Sequence, residues 1–202
     1  MAHRFRGFLP VVLDLETGGF DPRVNPILEI AAVQVRFEAG QLAVAEQWSQ
    51  AVLPFPGAHS NAAALKFTGI DPEDPDRNAV DESLALQTLF RSIRGAMRRE
   101  QCHRAILVAH NAAFDQQFLN QAVARAGVKR NPFHPFTSID TASLAAVAYG
   151  HTVLSEACAR ADIEFDPEQA HRALYDAERT AGLFCAIVNA WPQTATRFNG
   201  ER

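Results

Sequence analysis

Asp14 and Glu16 stand two apart in the apolar run VVLDLET at residues 11–17. Side chains alternate along an extended strand, so both carboxylates share one face and Leu13 and Leu15 share the other. Two same-face carboxylates repel each other and resist desolvation unless a cation binds there. A third acid, Asp115, closes the run His110-Asn111-Ala112-Ala113-Phe114-Asp115. The fourth, Asp176, follows His171 by five residues in His171-Arg172-Ala173-Leu174-Tyr175-Asp176. Each has a plainer explanation when taken singly: a turn cap, an acid favoured by a helix N-terminus, or a surface histidine with a capping aspartate. Together, four carboxylates from three distant segments form an oxygen-rich set suited to hard divalent cations. Zinc fits less well, because no cysteine and only one histidine accompany them. Such a cluster can hold two Mg²⁺ or Mn²⁺ ions about 4 Å apart, an arrangement suited to phosphodiester hydrolysis.

The elements around these residues must bring three segments together. Residues 11–15 read as a short buried strand broken by Thr17-Gly18-Gly19, and 27–37 and 41–53 as two more strands. A short helical patch is expected at 61–66, before the polar, turn-rich DPEDPDRN at 71–78. A helix should start near Asp81, with Leu84, Leu86, Leu89, Phe90, Ile93 and Met97 at helical spacing. Residues 104–109 predict a buried strand, 113–126 a helix ending at Gly127, and 136–140 a further strand. Helices are expected at 141–148, 153–161 and 172–191, the last halted by Pro192. A meander followed by strand–helix crossovers gives an α/β fold, a mixed sheet with helices on both faces. No repeat or linker divides the chain, so residues 1–202 are read as one domain.

The 202 residues carry 19 Lys+Arg against 23 Asp+Glu, a formal charge of −4, with 48% hydrophobic residues. That balance fits a soluble globular protein and argues against a disordered chain or a basic nucleic-acid coat protein. Cys102, Cys158 and Cys185 are too few and scattered for a disulfide framework, and no CxxC pair suggests zinc. Reduced thiols favour a cytoplasmic setting. Arg4, Arg6 and Pro10 interrupt the N-terminal stretch, which is not read as a signal peptide. No apolar run approaches the roughly 20 residues of a membrane span.

D-x-E-T-G at 14–18, HNAAFD at 110–115 and HRALYD at 171–176 resemble, in the expected order, the three motifs of the DEDD exonuclease superfamily. The histidine five residues before the last aspartate resembles the DEDDh branch. RFRGFLPVV at 4–12, FTGIDPEDPDR at 67–77, RNPFHPF at 130–136 and TVLSEAC at 152–158 are similar to segments of the exoribonuclease T family within that branch. The resemblance implies a ribonuclease-H-like fold with a five-stranded mixed sheet, and a homodimer. It implies that Asp14, Glu16, Asp115 and Asp176 hold two Mg²⁺ ions, Mn²⁺ being an alternative, and that His171 accepts the proton of the attacking water. The implied activity is 3′-to-5′ trimming of tRNA and other stable RNAs with release of nucleoside 5′-monophosphates, and single-stranded DNA is a further implied substrate. A polymerase-associated proofreading DNA exonuclease and a catalytically silent RNA-binding module share the fold. The segments outside the motifs separate the first, and the complete set of four acids and one histidine speaks against the second.

Single-stranded nucleic acid is held by aromatic stacking and cationic backbone contacts. The resemblance places stacking residues at Phe20, Phe67, Phe114 and Phe136, although core packing is the usual fate of phenylalanine. A glutamate that the family uses in base discrimination, four residues before Phe67, is Ala63 here. Of the basic residues 17 are Arg and only Lys66 and Lys129 are Lys, and the arginines cluster. Arg4 and Arg6 flank Phe5; Arg91, Arg94, Arg98, Arg99 and Arg104 form a second group; Lys129 and Arg130 form a third. A solvated face is one reading, and phosphate binding to serve a partner subunit's site is the one the family implies.

Overall fold

A computed structural model describes Met1 and residues 4–191. Five strands form one sheet in the order β3-β2-β1-β4-β5. They are β1 (Phe8–Thr17), β2 (Ile27–Glu38), β3 (Gln41–Ala51), β4 (Arg104–Ala109) and β5 (Phe133–Asp140). The first three form an antiparallel meander, and β4 and β5 add parallel to β1. The helices are α1 (Ala62–Thr68), α2 (Glu82–Arg99), α3 (Ala112–Arg125), α4 (Thr141–Tyr149), α5 (Leu154–Arg160) and α6 (Ala173–Ala190). Each expected element is present. The first and last strands extend further toward the N-terminus than the pattern indicated, because Phe8, Leu9 and Phe133 are also buried.

Strand β1 is buried on both faces, as expected for a central strand crossed by helices on either side. Leu9, Val11, Leu13 and Leu15 face one core, with Leu86, Leu89, Phe90 and Ile93 of α2 and Phe118 of α3. Val12 faces the other, with Val33 and Val108 and with Ala173, Ala177, Ala181 and Phe184 of α6. The alanines at four-residue spacing give α6 a narrow stripe that approaches the sheet closely. A smaller cluster of Ala145, Ala157, Leu183 and Ile187 seats α4 and α5 on α6.

Helix α2 starts where Asp81 accepts a bond from the Leu84 amide at 2.9 Å. Its apolar stripe differs from the expected one at a single position: Leu84 is 48% exposed, and Ala85 takes its place against the sheet. Glu82 and Ala85 of the same first turn are buried, so Leu84 lies on the outer side of the helix. Cys102, Cys158 and Cys185 are all buried. Among the described residues no helix is long and apolar enough to cross a membrane. The expected stop at Pro192 and the rest of the C-terminal tail lie outside the described residues.

The two leucine-pattern positions should separate in stability. Phe90→Ala removes a fully buried ring and should cost about 3–5 kcal/mol, whereas Leu84→Ala should stay within about 0.5 kcal/mol. Urea unfolding of the two variants measures the difference, and equal losses would contradict this packing.

Candidate active site

The alternation that turns Val12 toward α6 continues through Asp14 and Glu16 at the C-terminal end of β1. Glu16 lies directly across from Glu29 on β2. The chain then turns at Gly18-Gly19 against the segment that returns it to β2, and the Gly18 amide donates to the Pro26 carbonyl at 2.8 Å. A Cβ on Gly18 would lie 2.6 Å from Ser60 Oγ, and one on Gly19 2.5 Å from Asn25 Oδ1. Only glycine permits that approach.

Asp115 arrives from the next strand. At the end of β4, Asn111 takes a left-handed conformation (φ 70°) and starts α3, placing Asp115 in its first turn. Asp140 fixes this reversal by accepting the Asn111 amide at 2.9 Å and the Ala112 amide at 3.3 Å. The Leu15 amide donates to the Asp115 carboxylate, joining α3 to β1. His110, prominent in the sequence, serves structure. Its Nε2 lies 2.7 Å from the Thr152 carbonyl and its Nδ1 3.0 Å from Thr141 Oγ1. A carbonyl only accepts, so Nε2 carries the proton. Burial holds the His110 pKa below its usual range.

Asp176 occupies the first turn of α6, and His171 precedes that helix with φ 64°. The His171 amide donates to Asp176 Oδ2 at 3.0 Å. The other oxygen, Asp176 Oδ1, is buried and has no hydrogen-bond partner. Side-chain atoms of Glu16, His171 and Asp176 lie within 4.8 Å of one another. Burial is the first cause raising the pKa of each site carboxyl. Asp14 is pushed well up, next by Asp115, Glu16, Asp176 and Glu29. Glu16 rises to about 8 through burial, Asp176 and Glu29, and Asp115 to about 8 through burial. Asp176 is also raised. An orphan oxygen among mutually repelling carboxylates fits a divalent cation, which neutralises the charge and supplies the missing partner.

Beside the acids lies a pocket of about 390 Å³ lined by Glu16, Thr17, Phe20, Ala63, Phe67 and Phe114, among others. Phe20 is 85% exposed and Phe67 67% exposed, so neither is a core residue. Phe20 meets the half-buried Phe114 near-perpendicularly, with centroids 6.3 Å apart. Phe67 packs on His171 with centroids 4.1 Å apart. The structure does not bring Phe136 into this pocket. Phe136 stands 80% exposed on β5, edge-on to His134 at 4.5 Å.

The basic residues gather elsewhere. Phe8, the first residue of β1, pairs with Arg104, the first of β4. Arg6 lies over the Phe8 ring at 5.1 Å. Arg94 donates to the Arg130 carbonyl at 3.0 Å, joining the α2 group to Lys129-Arg130. Arg98 is exposed in the last turn of α2. Arg4 donates to the carbonyls of Val188 and Trp191, closing the C-terminal end of α6. These groups border the start of β1, and the six steps along the strand from Phe8 to Asp14 span about 20 Å.

Three residues near the site were not singled out from the sequence. Glu29 was detectable as the lone acid in ILEIAAVQV. Asp140 and Asn25 act through turn contacts that no local pattern displays.

The five-stranded mixed sheet with helices on both faces places the chain in a fold class that solved exonucleases share. The nuclease domain of 3′hExo, a DEDDh family member solved with rAMP, superposes with TM-score 0.68 at 18% identity, over 90% of this chain and 92% of that one. E. coli exonuclease I in complex with a dT13 oligonucleotide gives TM-score 0.68 at 16% identity; the match covers 89% of this chain but only 41% of the larger enzyme. The common architecture is the ribonuclease-H-like sheet. The sequence profile RNase_T, described as an exonuclease, matches residues 11–184, and the chain belongs to that exonuclease family. Among similar proteins, Ribonuclease T of Hahella chejuensis is 55% identical over 194 residues, 96% of this chain and 89% of that protein. Ribonuclease T of Marinobacter nauticus is 54% identical over 192 residues, 95% and 87% of the two chains.

The raised carboxyls have a measurable consequence. Without metal, the folded protein keeps protons there that the unfolded chain has already released. Stability therefore falls as pH rises from about 4, the ordinary carboxylate value, toward about 8, the raised value. Tm in EDTA should drop across this window, and Mg²⁺ or Mn²⁺ should raise Tm near the upper end and have little effect near the lower. Asp14→Asn should flatten the EDTA slope. Calorimetry across the window checks both, and a Tm that climbs with pH in EDTA would contradict the assignment.

Proposed function

We propose that this protein is a metal-dependent 3′-to-5′ exoribonuclease that removes terminal nucleotides and releases nucleoside 5′-monophosphates. The observation that carries the reading is the junction of two sites. A carboxylate cluster with an adjacent histidine opens directly into an aromatic-walled pocket, and Glu16 belongs to both. The resemblance to proteins named Ribonuclease T supports RNA as substrate. In our reading these are 3′ tails of tRNA and other stable RNAs, with single-stranded DNA also cleaved. The catalytic unit is a single domain over residues 1–202, and the protein acts in the cytoplasm, consistent with its three unpaired thiols.

Asp14, Glu16, Asp115 and Asp176 would hold two divalent ions, Mg²⁺ in our reading. When bound, such ions lower the pKa of a water and neutralise charge at the scissile phosphate and leaving oxygen. Phe20 and Phe67 stack on the terminal base, with Phe114 beneath, and so orient the last phosphodiester toward the acids. His171 takes the proton of the attacking water, the usual work of a neutral imidazole. Water oxygen bonds to phosphorus, the bond to the upstream 3′ oxygen breaks, and that oxygen takes a proton from solvent to leave as a hydroxyl. Ala63 presents a methyl group to the pocket where the resembling family carries a carboxylate, so a hydrogen-bonding partner for a terminal cytosine is missing from that wall.

In our reading the protein is a homodimer. Arg6, Arg98, Arg104, Lys129 and Arg130 sit at the opposite end of the sheet from the acids, about 20 Å along the strand from Asp14. A second copy would bring its basic end to this site. Helix α4 supports the same reading. It carries no charged residue, and Ala146, Val147 and Ala148 are exposed, Val147 by 74%.

End-labelled RNA and DNA oligomers differing in the terminal base, incubated with Mg²⁺ or EDTA, test the activity. Asp14→Asn and Asp176→Asn should lower turnover by about 10³-fold or more with the fold intact. His171→Ala should lower kcat by about 10²–10⁴-fold at similar KM. Near-normal rates in the aspartate variants would refute the reading. Val147→Glu should shift sedimentation from dimer to monomer and lose activity on tRNA, while a fully active monomer would refute the partner-site arrangement.

A further inference from the structure

The pocket's two exposed aromatic walls stand on a turn and on a short helix, α1, that has no buried residue, yet both are tied down by a defined set of bonds. Phe20 belongs to the turn that leaves β1. In that turn the Asp21 amide donates to Asn25 Oδ1 at 2.8 Å, and Asn25 Nδ2 donates to the His59 carbonyl at 2.6 Å. The His59 amide donates to the Val24 carbonyl at 2.8 Å and the Asn61 amide to the Gly18 carbonyl at 2.7 Å. Asn61 then caps α1, which carries Phe67. The loop of Phe20 and the segment leading to Phe67 are thus one unit.

That unit is anchored to the body of the protein by Arg125, in the last turn of α3. Its Nε and Nη2 form a fork on Glu82 at 3.0 and 2.6 Å. Its Nη1 donates to the Pro22 carbonyl at 3.1 Å, two residues from Phe20. Its guanidinium lies over the ring of Phe55 at 3.7 Å, in the segment that runs toward α1. One planar group therefore meets both loops and the N-terminal turn of α2. Ion pairs this enclosed contribute little net stability and are better suited to imposing one geometry. The planar fork is also beyond a lysine, whose ammonium cannot bond two partners in plane while stacking on a ring.

We propose that Arg125 is a positioning residue for substrate binding: it sets the Phe20 wall at the distance from Phe67 that a terminal base requires. Arg125 touches neither the acids nor His171, so its influence is on binding. The proposal rests on the reading of Phe20 as a base-stacking residue.

Kinetics of wild type, Arg125→Met, Arg125→Lys, Glu82→Gln, Phe20→Ala and the Phe20→Ala/Arg125→Met double variant on a short single-stranded RNA with Mg²⁺ test it. Melting curves establish that each variant is folded at the assay temperature. Arg125→Met should raise KM by about tenfold, the loss expected for a charge-assisted contact. Its kcat should stay within about twofold, because the reacting groups are untouched. Arg125→Lys should behave like Arg125→Met. In the Phe20→Ala background Arg125→Met should add little, since both changes act on the same wall. A merely structural role would lower Tm and active fraction, leave KM unchanged and add fully to Phe20→Ala. Either of those last two results overturns the proposal. If Arg125→Met does not fold, Arg125→Lys and Glu82→Gln decide by the same KM criterion. A wild type that releases no mononucleotide with Mg²⁺ refutes the exonuclease reading and this role with it. An active wild type with unchanged KM in the variants refutes this role alone.

Discussion

Mutual repulsion among carboxylates at one end of the sheet is the constraint to which the site's surroundings answer. Burial disfavours the ionised forms of Asp14, Glu16, Asp115 and Asp176, and the neighbouring carboxylates add to it at Asp14 and Glu16. Left to itself, such a cluster would relax by rotating side chains toward water or by loosening the loops that carry them. The protein prevents this with backbone bonds at the acids themselves. The Leu15 amide holds Asp115 and the His171 amide holds Asp176. Asp140 pins the turn before Asp115 from outside. The cluster is a preformed deficit of positive charge, the kind of site that suits a divalent ion.

That constraint also bears on two of the chain's left-handed residues. Asn111 and His171 both adopt left-handed conformations immediately before helices, and each places an acid in the first turn. Helix N-termini carry partial positive charge, which lowers the cost of holding a carboxylate there. The glycine pair after β1 lets the chain return close enough to Asn25 and Ser60 to wall the pocket. These strained or crowded positions sit around the site and not in the two cores, where alternation and alanine spacing suffice.

Much of this was legible in the sequence because it depended on periodicity. The alternation in VVLDLET identified the shared face of Asp14 and Glu16, and the leucine spacing identified α2 except at Leu84, whose burial depends on where the helix meets the sheet. The motifs placed the acids and His171. Stacking against a core fate for Phe20 and Phe67 was not decidable from composition, since it turns on loop position. Arg125 and Glu29 escaped for a related reason. Their roles arise from contacts between segments separated by 13 to more than 100 positions in the chain. No local pattern distinguishes an arginine that joins two loops from one on a solvated helix.

The net charge of −4 is the feature most at odds with an RNA enzyme, and the fold resolves it by segregation. The site acids and the basic group around Arg6 and Arg104 occupy opposite ends of β1, about 20 Å apart, more than two Debye lengths at physiological salt. At that separation the acidic end does not cancel the attraction of the basic end for a polyanion. The acidic end, once loaded with divalent ions, no longer repels a phosphate. A total charge sums regions that a substrate meets one at a time. For an end-trimming enzyme the arrangement has a further consequence. The RNA's body and its terminus need opposite electrostatic surroundings, the first cationic and the second metal-centred.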